Sequence, residues 1–226
     1  LTLCLSLCFF GCKNNEKPTD DPVVKKANET LKIHCYTHKN LNPLENDNET
    51  NMQMLRLMFE SLIQCDNTQK PQPLLAKEYS VSTDGLVWYV KLKKNVKWHD
   101  GTVFTSKDVL DTYNFVIENA QNSAYAVNVS NIEYVNAISD YEVNFKLKSP
   151  QANFVNLLEI PIVKSGNFTV VGTGPYVYKE TQNKIIYLTA NENWHMGKPN
   201  VKNVHVKILP DKETATSAYI SKEIDV

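Results

Sequence analysis

The sequence predicts a mixed α/β fold, and three observations support that prediction. The chain has 226 residues, 42% of them hydrophobic, which is enough to bury a core of one or two packed units. Residues 79–117 follow the order strand, turn, strand, turn, helix. Residues 134–147 and 204–209 add further β-rich segments. This mixture of strands and helices is typical of the α/β class.

Residues 79–117 carry the clearest pattern. Asp84-Gly85 predicts a turn between two strands, because only residues that tolerate positive φ fit there. In residues 86–92, alternation predicts a half-buried strand whose core face carries Trp88, Val90 and Leu92. Asp100-Gly101 predicts a second turn. Thr105 is a natural N-cap, with Asp108 placed to complete a capping box, and the helix that follows has an apolar face formed by Val109, Leu110, Tyr113, Val116 and Ile117.

The other elements are predicted with simpler signals. Residues 30–37 predict a strand, and residues 52–62 predict an amphipathic helix with one apolar face of Leu55, Met58, Phe59 and Leu62. A hairpin is expected to turn at residues 139–141, and a short helix to pass through Phe154 and Leu158. The pentad Gly172-Thr173-Gly174-Pro175-Tyr176 lacks the spacing of a phosphate-binding loop, so it predicts a tight crossing that starts a strand.

The residues that fill this order resemble a known family. The run S-T-D-G-L-V-W-Y-V-K-L-K-K-N-V-K-W-H-D-G-T-x-F-T-S-K-D-V closely resembles the signature of extracellular solute-binding protein family 5, the oligopeptide- and dipeptide-binding proteins of ABC importers. Further motifs of this family match in order: Asn42-Pro43, Phe59-Glu60-Ser61-Leu62, residues 71–76, residues 172–176 and residues 191–199. The helix expected at residues 221–225 is similar to the family's s-G-E-I-D, with Lys222 in place of glycine.

The resemblance implies a type II periplasmic-binding-protein-like fold. It covers residues 30–226, which would form the first lobe only, because family members continue into a second lobe that is missing here. Within this lobe, about residues 51–165 are expected to form an inserted subdomain, and about residues 166–226 to return to the main sheet.

Residues 1–12 resemble the remnant of a lipoprotein signal peptide. They are apolar but too short for a membrane span, which needs about 20 residues, and they end in Phe9-Phe10-Gly11-Cys12, which is similar to a lipobox. Cys12 would then carry the lipid, residues 13–29 would be a polar tether, and the protein would be exported and anchored to the outer face of the cytoplasmic membrane. The alternative is a buried strand or helix with an incidental cysteine.

Composition and spacing argue against several other functions. A net charge of −1 gives no electrostatic reason to expect nucleic acid. The His99-Asp100 pair lacks a nucleophile motif, so no catalytic residue is expected, and no metal or cofactor is expected because no ligand spacing occurs. Cys35 and Cys65 could form a disulfide in an exported chain, although two buried free thiols are the preferred expectation.

The resemblance implies capture of an extended peptide and its delivery to an ABC permease, by a monomer whose lobes close on the ligand. The positions that match the family's ligand-lining segments are Asp47, Asn48, Glu49 and Tyr125. A solvated loop and a packed tyrosine are the structural alternatives for these residues. The functional alternatives are a nickel chelate, haem or a sugar as the ligand, or a truncated surface protein without a transport role.

Overall fold

The computed structural model describes residues 29–166 and 168–226. Its strands are β1 (Thr30–Tyr36), β2 (Ile63–Cys65), β3 (Pro71–Pro73), β4 (Ala76–Val81), β5 (Val87–Leu92), β6 (Ile132–Ser139), β7 (Glu142–Leu147), β8 (Tyr176–Gln182), β9 (Ile185–Ala190) and β10 (Asn203–Leu209). Its α-helices are α1 (Glu49–Leu55), α2 (Ser106–Glu118), α3 (Ala126–Val129) and α4 (Lys212–Ile220). The α/β class is confirmed.

The main sheet has the strand order β1-β10-β9-β8. Strands β1 and β10 are parallel, with Thr30 opposite Asn203 and Tyr36 opposite Leu209. Their carboxyl ends therefore lie side by side at one end of the sheet. Helix α1 packs beside β1, and its Met54 and Leu55 join a core with Cys35, Ile186, Leu188 and Val206. This core therefore forms from the first and last thirds of the described chain.

The second sheet is antiparallel throughout, with the order β4-β5-β7-β6. Trp88, Val90 and Leu92 of β5 are buried, as the alternation predicts, and they pack with α2 and β7 in a second core. Tyr113 of α2 stacks edge-on against Phe145 of β7, with ring centroids 4.8 Å apart. The subdomain boundaries expected from the resemblance stay a prediction.

The predicted turns and cap around α2 are confirmed. Gly85 has φ +71° and Gly101 has φ +86°, the left-handed region that both turns require. Thr105 is the N-cap, and both halves of its capping box with Asp108 are present. The Asp108 carboxylate also accepts the backbone N–H groups of Thr105 and Ser165, at 2.9 Å each. One buried acid thus fixes the start of α2 and the segment beside it.

The predicted helix over residues 52–62 is wrong. Helix α1 ends at Leu55, and the chain leaves helical geometry before Phe59. All four residues of the predicted apolar face are buried, but Phe59 enters the main-sheet core whereas Leu62 enters the second core. Because one helix face cannot point into two separate cores, the chain unwinds where it passes between them.

The last motif also differs from its prediction, because residues 221–225 follow α4 as a turn and are not helical. Lys222 adopts φ +60° there. The backbone N–H of Glu223 donates to the Ala218 carbonyl at 2.8 Å, which closes the end of α4.

The crossing at Gly172–Tyr176 connects the part of the chain that carries the second sheet back to β8 of the main sheet. The backbone N–H of Gly174 donates to the Met58 carbonyl at 2.9 Å, and that of Tyr176 donates to Leu57 at 2.9 Å. A Cβ atom at Gly172 would lie 1.8 Å from the Met58 oxygen. The predicted tight crossing is confirmed, and glycine is required because two backbones meet there.

Cys35 and Cys65 are both free thiols, as expected, but only Cys35 is buried, whereas Cys65 is half-buried. Burial raises the pKa of Cys35 to about 12. Burial also raises the pKa of Cys65, and the nearby Glu159 carboxylate acts in the same direction. Across residues 29–166 and 168–226, no helix combines the length and apolar character needed to cross a bilayer.

Candidate functional site

The candidate site lies where the two parallel strands end. Strands β1 and β10 finish side by side at Tyr36 and Leu209, and the loop after β1 runs along this edge to α1. Open α/β sheets bind ligands in crevices at the carboxyl ends of their strands. The loop of residues 37–48 is therefore a candidate binding segment.

Asparagine side chains hold this loop in one shape. The Asn42 side chain accepts the backbone N–H of Leu44 at 3.0 Å and donates to Glu45 at 2.9 Å. Asn40 donates to the other Glu45 oxygen at 2.7 Å, and Asn46 donates to the Asn42 carbonyl at 2.7 Å. These bonds connect the two ends of the segment from Asn40 to Asn46.

Two leucines anchor the same loop. Leu41 packs in the main-sheet core, and Leu44 packs in the second core. At the far end, the buried Asn51 side chain accepts the Tyr36 backbone N–H at 2.8 Å, which ties α1 to the end of β1. The loop is therefore fixed to both cores and to the strand it follows.

Beside the loop lies a cavity of about 410 Å³, called here the loop cavity. This volume is within the range of small-ligand sites, about 300–1,000 Å³. Its walls are polar or charged throughout: Thr37, His38, Lys39, Asn40, Glu45, Asn46, Asp47, Asn48 and Asn51. Such a lining suits a ligand with many hydrogen-bonding groups.

Two of the four predicted ligand residues line the loop cavity. Asp47 is exposed there, and none of the described residues forms an ion pair with its carboxylate. Asn48 is the N-cap of α1, and its side chain accepts the Asn51 N–H at 3.2 Å. Asn48 therefore shapes the cavity edge while part of its side chain is already engaged.

The other two predicted residues lie outside this cavity. Glu49 is exposed in the first turn of α1 and accepts a hydrogen bond from Gln53 at 3.1 Å. Tyr125 is 7% exposed and belongs to the second core, where burial raises the pKa of its hydroxyl to about 12. The prediction for Cys12 falls outside the described residues.

Sequence reasoning missed most of the lining, including Thr37, Lys39, Asn40 and Asn46. The available signal was the density of asparagine between β1 and α1, because asparagine favours loops that bond to their own backbone. The pattern could not show which of these side chains would face a shared cavity.

A buried polar cluster connects the main sheet to the segment after α1. It lies at the end of the main sheet opposite the carboxyl ends of β1 and β10. Glu60 accepts Trp194 Nε1–H at 2.9 Å, and His195 Nε2 lies 3.1 Å from each of its carboxylate oxygens. The side chains of Glu60 and His195 are both 2% exposed. His195 is thus a packed histidine that bonds to a buried acid.

His99 fastens the crossing next to this cluster. Its Nδ1 accepts the Gly172 N–H at 3.2 Å, and its Nε2 lies 3.0 Å from the Gly174 carbonyl, so the ring is neutral with its proton on Nε2. Burial lowers the pKa of His99 accordingly. Asp100 instead bonds Thr102 and Lys164, so the two neighbours do not form a dyad.

The described residues contain no group of three or more histidine, cysteine, aspartate or glutamate side chains placed to hold a metal ion. His38 is the one histidine on the loop cavity, and its Nδ1 lies 3.0 Å from the Tyr36 carbonyl.

Comparisons with known proteins agree with this architecture. Among curated proteins, the oligopeptide-binding protein AppA of Bacillus subtilis is 28% identical, over 81% of this chain and 37% of its own length. The nickel-binding periplasmic protein of Escherichia coli is 27% identical, over 83% of this chain and 39% of its own. The chain thus spans under half the length of these relatives.

The structures of two relatives superpose closely. AppA in complex with a nonapeptide matches 86% of this chain and 42% of its own, with a TM-score of 0.74 and 26% identity. NikZ from Campylobacter jejuni, in complex with Ni(L-His), matches 87% and 42%, with a TM-score of 0.74 and 25% identity. The fold is that of type II periplasmic binding proteins.

The family model described as bacterial extracellular solute-binding proteins, family 5 Middle, matches residues 70–226. This range is more than half of the chain and includes both landmark motifs, the aromatic strand with its capped helix and the glycine-rich crossing. The chain therefore belongs to family 5 of the bacterial extracellular solute-binding proteins, which serve ABC transporters.

Proposed function

We propose that this chain supplies one wall of a peptide-binding cleft in the substrate-binding lipoprotein of an ABC importer. The observation that carries the proposal is the loop cavity: a preformed polar cavity at the carboxyl ends of β1 and β10, lined by Asp47 and Asn48. Peptide backbones present a donor and an acceptor at every residue, which suits a lining rich in amides and charges.

Charged ends of a peptide have partners in this cavity. Asp47 offers a carboxylate for an α-amino group, and Lys39 offers an ammonium for a carboxylate. Glu45, whose carboxylate accepts hydrogen bonds from Asn40 and Asn42, is a second acidic group of this cavity. A second lobe would close over the bound peptide by a hinge motion, and the closed monomer would dock on the permease.

Isothermal titration of a pool of short peptides into the purified protein, without its first 12 residues, tests this proposal. We expect binding by the wild type, and about tenfold weaker binding by Asp47→Asn for peptides with a free amino end, because a charge-assisted hydrogen bond is lost. Asp140→Asn changes an exposed aspartate at the β6–β7 turn and serves as the matched control. Absence of peptide binding by a two-lobed form of the protein, in which a second lobe completes the cleft, would refute the proposal.

A nickel chelate is the second candidate ligand, because one relative is named for nickel binding and another was solved with Ni(L-His). A chelated metal needs few protein ligands, and His38 on the loop cavity could provide one. Titration with Ni(L-His) in the same experiment separates the two candidates. Binding of the chelate without peptide binding, lost in His38→Ala, would favour the second one.

Lipid anchoring at Cys12 is part of the proposal. It is supported by the lipobox-like Phe9-Phe10-Gly11-Cys12 and the polar residues that follow. Metabolic labelling with a fatty acid should mark the wild type in membranes, and Cys12→Ala should abolish the label. Equal labelling of both proteins would exclude Cys12 as the attachment site.

A further inference from the structure

A cavity of about 470 Å³ lies at the end of the main sheet that is opposite the loop cavity. Side chains from residues 95–101, before α2, and from residues 191–195, after β9, line it, and we call it the histidine cavity. Its position follows from the sheet register, because Thr189 near the end of β9 is opposite Asn203, the first residue of β10. Strand β10 has seven residues, so about 20 Å separates this end of the sheet from the loop cavity.

His195 has one ring nitrogen without a partner in the wall of this cavity. Its side chain is 2% exposed, and its Nε2 lies 3.1 Å from both oxygens of Glu60. An ionised carboxylate only accepts hydrogen bonds, so Nε2 carries the proton between the two groups. The other nitrogen, Nδ1, is buried and has no hydrogen-bond partner among the described residues. A buried polar atom in this state is satisfied only when a bound molecule supplies the missing partner.

The charge of the histidine cavity is positive. Among the described residues that line it there is no aspartate or glutamate, and Lys97 is the one lysine. Lys97 forms no ion pair within the described part of the chain. Two acids close to the cavity are already paired, Asp100 with Lys164 and Glu60 with His195. An anion in this cavity would therefore meet an ammonium group that no carboxylate neutralises.

Hydrogen bonds hold both walls of the histidine cavity. On one side, Lys97 pairs with Val103 in a short antiparallel bridge. On the other side, the Asn191 side chain accepts the Asn193 backbone N–H at 3.1 Å and donates to the Gly174 carbonyl at 3.1 Å. Polar groups on fixed backbone lose less entropy when they bind a ligand, which favours binding.

We infer that the histidine cavity is a second binding site, separate from the proposed peptide cleft, for a small oxyanion, a carboxylate or a phosphate. Lys97 supplies the charge, and the exposed side-chain amides of Asn95 and Asn193 supply further donors. In the bound state His195 is an imidazolium that donates from Nε2 to Glu60 and from Nδ1 to the anion. The anion thus satisfies the buried nitrogen that the protein leaves without a partner.

Isothermal titration of sodium phosphate and, separately, of sodium succinate into the purified protein tests this inference, with the ionic strength held constant. For at least one of these anions we expect saturable 1:1 binding with a Kd of about 1 mM or tighter. Lys97→Met should weaken that binding about tenfold or more, because a charge-assisted contact is lost. The anion that binds shows whether the site takes a phosphate or a carboxylate.

Lys94→Met is the matched control. It removes the same charge three positions away, where Lys94 Nζ lies 5.7 Å from the centre of the Tyr141 ring and outside the cavity lining. This variant should keep the wild-type affinity within about twofold, because a distant exposed charge is screened. Binding of neither anion, or equal weakening by the two substitutions, would overturn the inference.

NMR of the histidine ring nitrogens follows His195 without a substitution at a buried residue. Its ring centroid lies 5.9 Å from that of Trp194, a proximity that allows its signals to be assigned. The anion should move these signals with the Kd found by titration, and should leave those of His38, on the loop cavity, unchanged. An anion that binds 1:1 without moving the His195 signals would also overturn the inference. No peptide takes part in these experiments, so their failure leaves the proposed function standing.

Discussion

Removing the Glu60 carboxylate should destabilise the protein more than any other single change at a polar residue between the two sheets. Glu60→Ala leaves Trp194 Nε1–H and His195 without the acceptor that both use, at 2.9 and 3.1 Å, in a site where the acid and the imidazole are 2% exposed. The alanine variant therefore leaves the Trp194 and His195 side chains without the carboxylate that both contact.

The magnitude follows from the number of orphaned groups. A buried donor left without an acceptor costs about 1–3 kcal/mol, and breaking a buried pair costs about 3–5 kcal/mol in all. Glu60→Gln keeps one acceptor oxygen for Trp194 and loses the charge, so about 1–3 kcal/mol is expected. Domains have about 5–15 kcal/mol of total stability, so the alanine variant should be close to its unfolding threshold at 37 °C.

Equilibrium unfolding in urea measures these differences, with an unchanged slope as the check that the transition remains cooperative. Glu133→Ala removes an exposed glutamate on β6 and should change the free energy of unfolding by less than about 0.5 kcal/mol. A Glu60→Ala variant that unfolds within about 1 kcal/mol of the wild type would refute the reasoning that this cluster connects the main sheet to the segment after α1.

Three further predictions concern stability. Because burial lowers the pKa of His99 below its ordinary 6.5, the unfolded state takes up the proton first, so stability should be full above about pH 6.5 and should fall below it. Urea unfolding from about pH 7.5 to pH 5 should show this slope, and His99→Gln should flatten it; identical slopes would contradict the assignment. Gly172→Ala should lower the free energy of unfolding by more than about 3 kcal/mol, measured in urea, because its Cβ would overlap the Met58 oxygen; a loss below about 1 kcal/mol would contradict that. Lys222→Gly should raise the melting temperature by about 2–4 °C, because it relieves φ +60°; a lower melting temperature would show that the turn is not strained.

Most of the correctly predicted features of the fold depend on short sequence patterns. The capping box of α2 and the turns at Gly85 and Gly101 depend on nearest neighbours, so a few residues were sufficient to predict them. The alternation of Trp88, Val90 and Leu92 likewise showed its buried face.

The error at α1 has a different cause. The sequence places four apolar residues at the spacing of one helix face: Leu55, Met58, Phe59 and Leu62. Periodicity cannot show that the first three pack in the main-sheet core and the last in the second core. The Glu60–His195 pair was equally out of reach, because 135 positions separate its members in the chain. Contacts of that kind follow from the topology, which brings residues 191–195 back to the segment after α1.

The candidate site was predicted in part. The polar loop before α1 pointed to Asp47 and Asn48, which line the loop cavity, but not to Thr37 or Lys39 on its opposite side. Tyr125 is an aromatic residue in a polar segment, and the sequence alone could not reveal that α3 turns it into the second core.

Photo-cross-linking tests the central claim, that peptides bind at the loop cavity, most directly. A short peptide carrying one benzophenone side chain would be irradiated with the purified protein, and the adducts mapped by mass spectrometry. The account predicts adducts within residues 37–51, suppressed by excess unlabelled peptide. Competable adducts confined to other parts of the chain would contradict it.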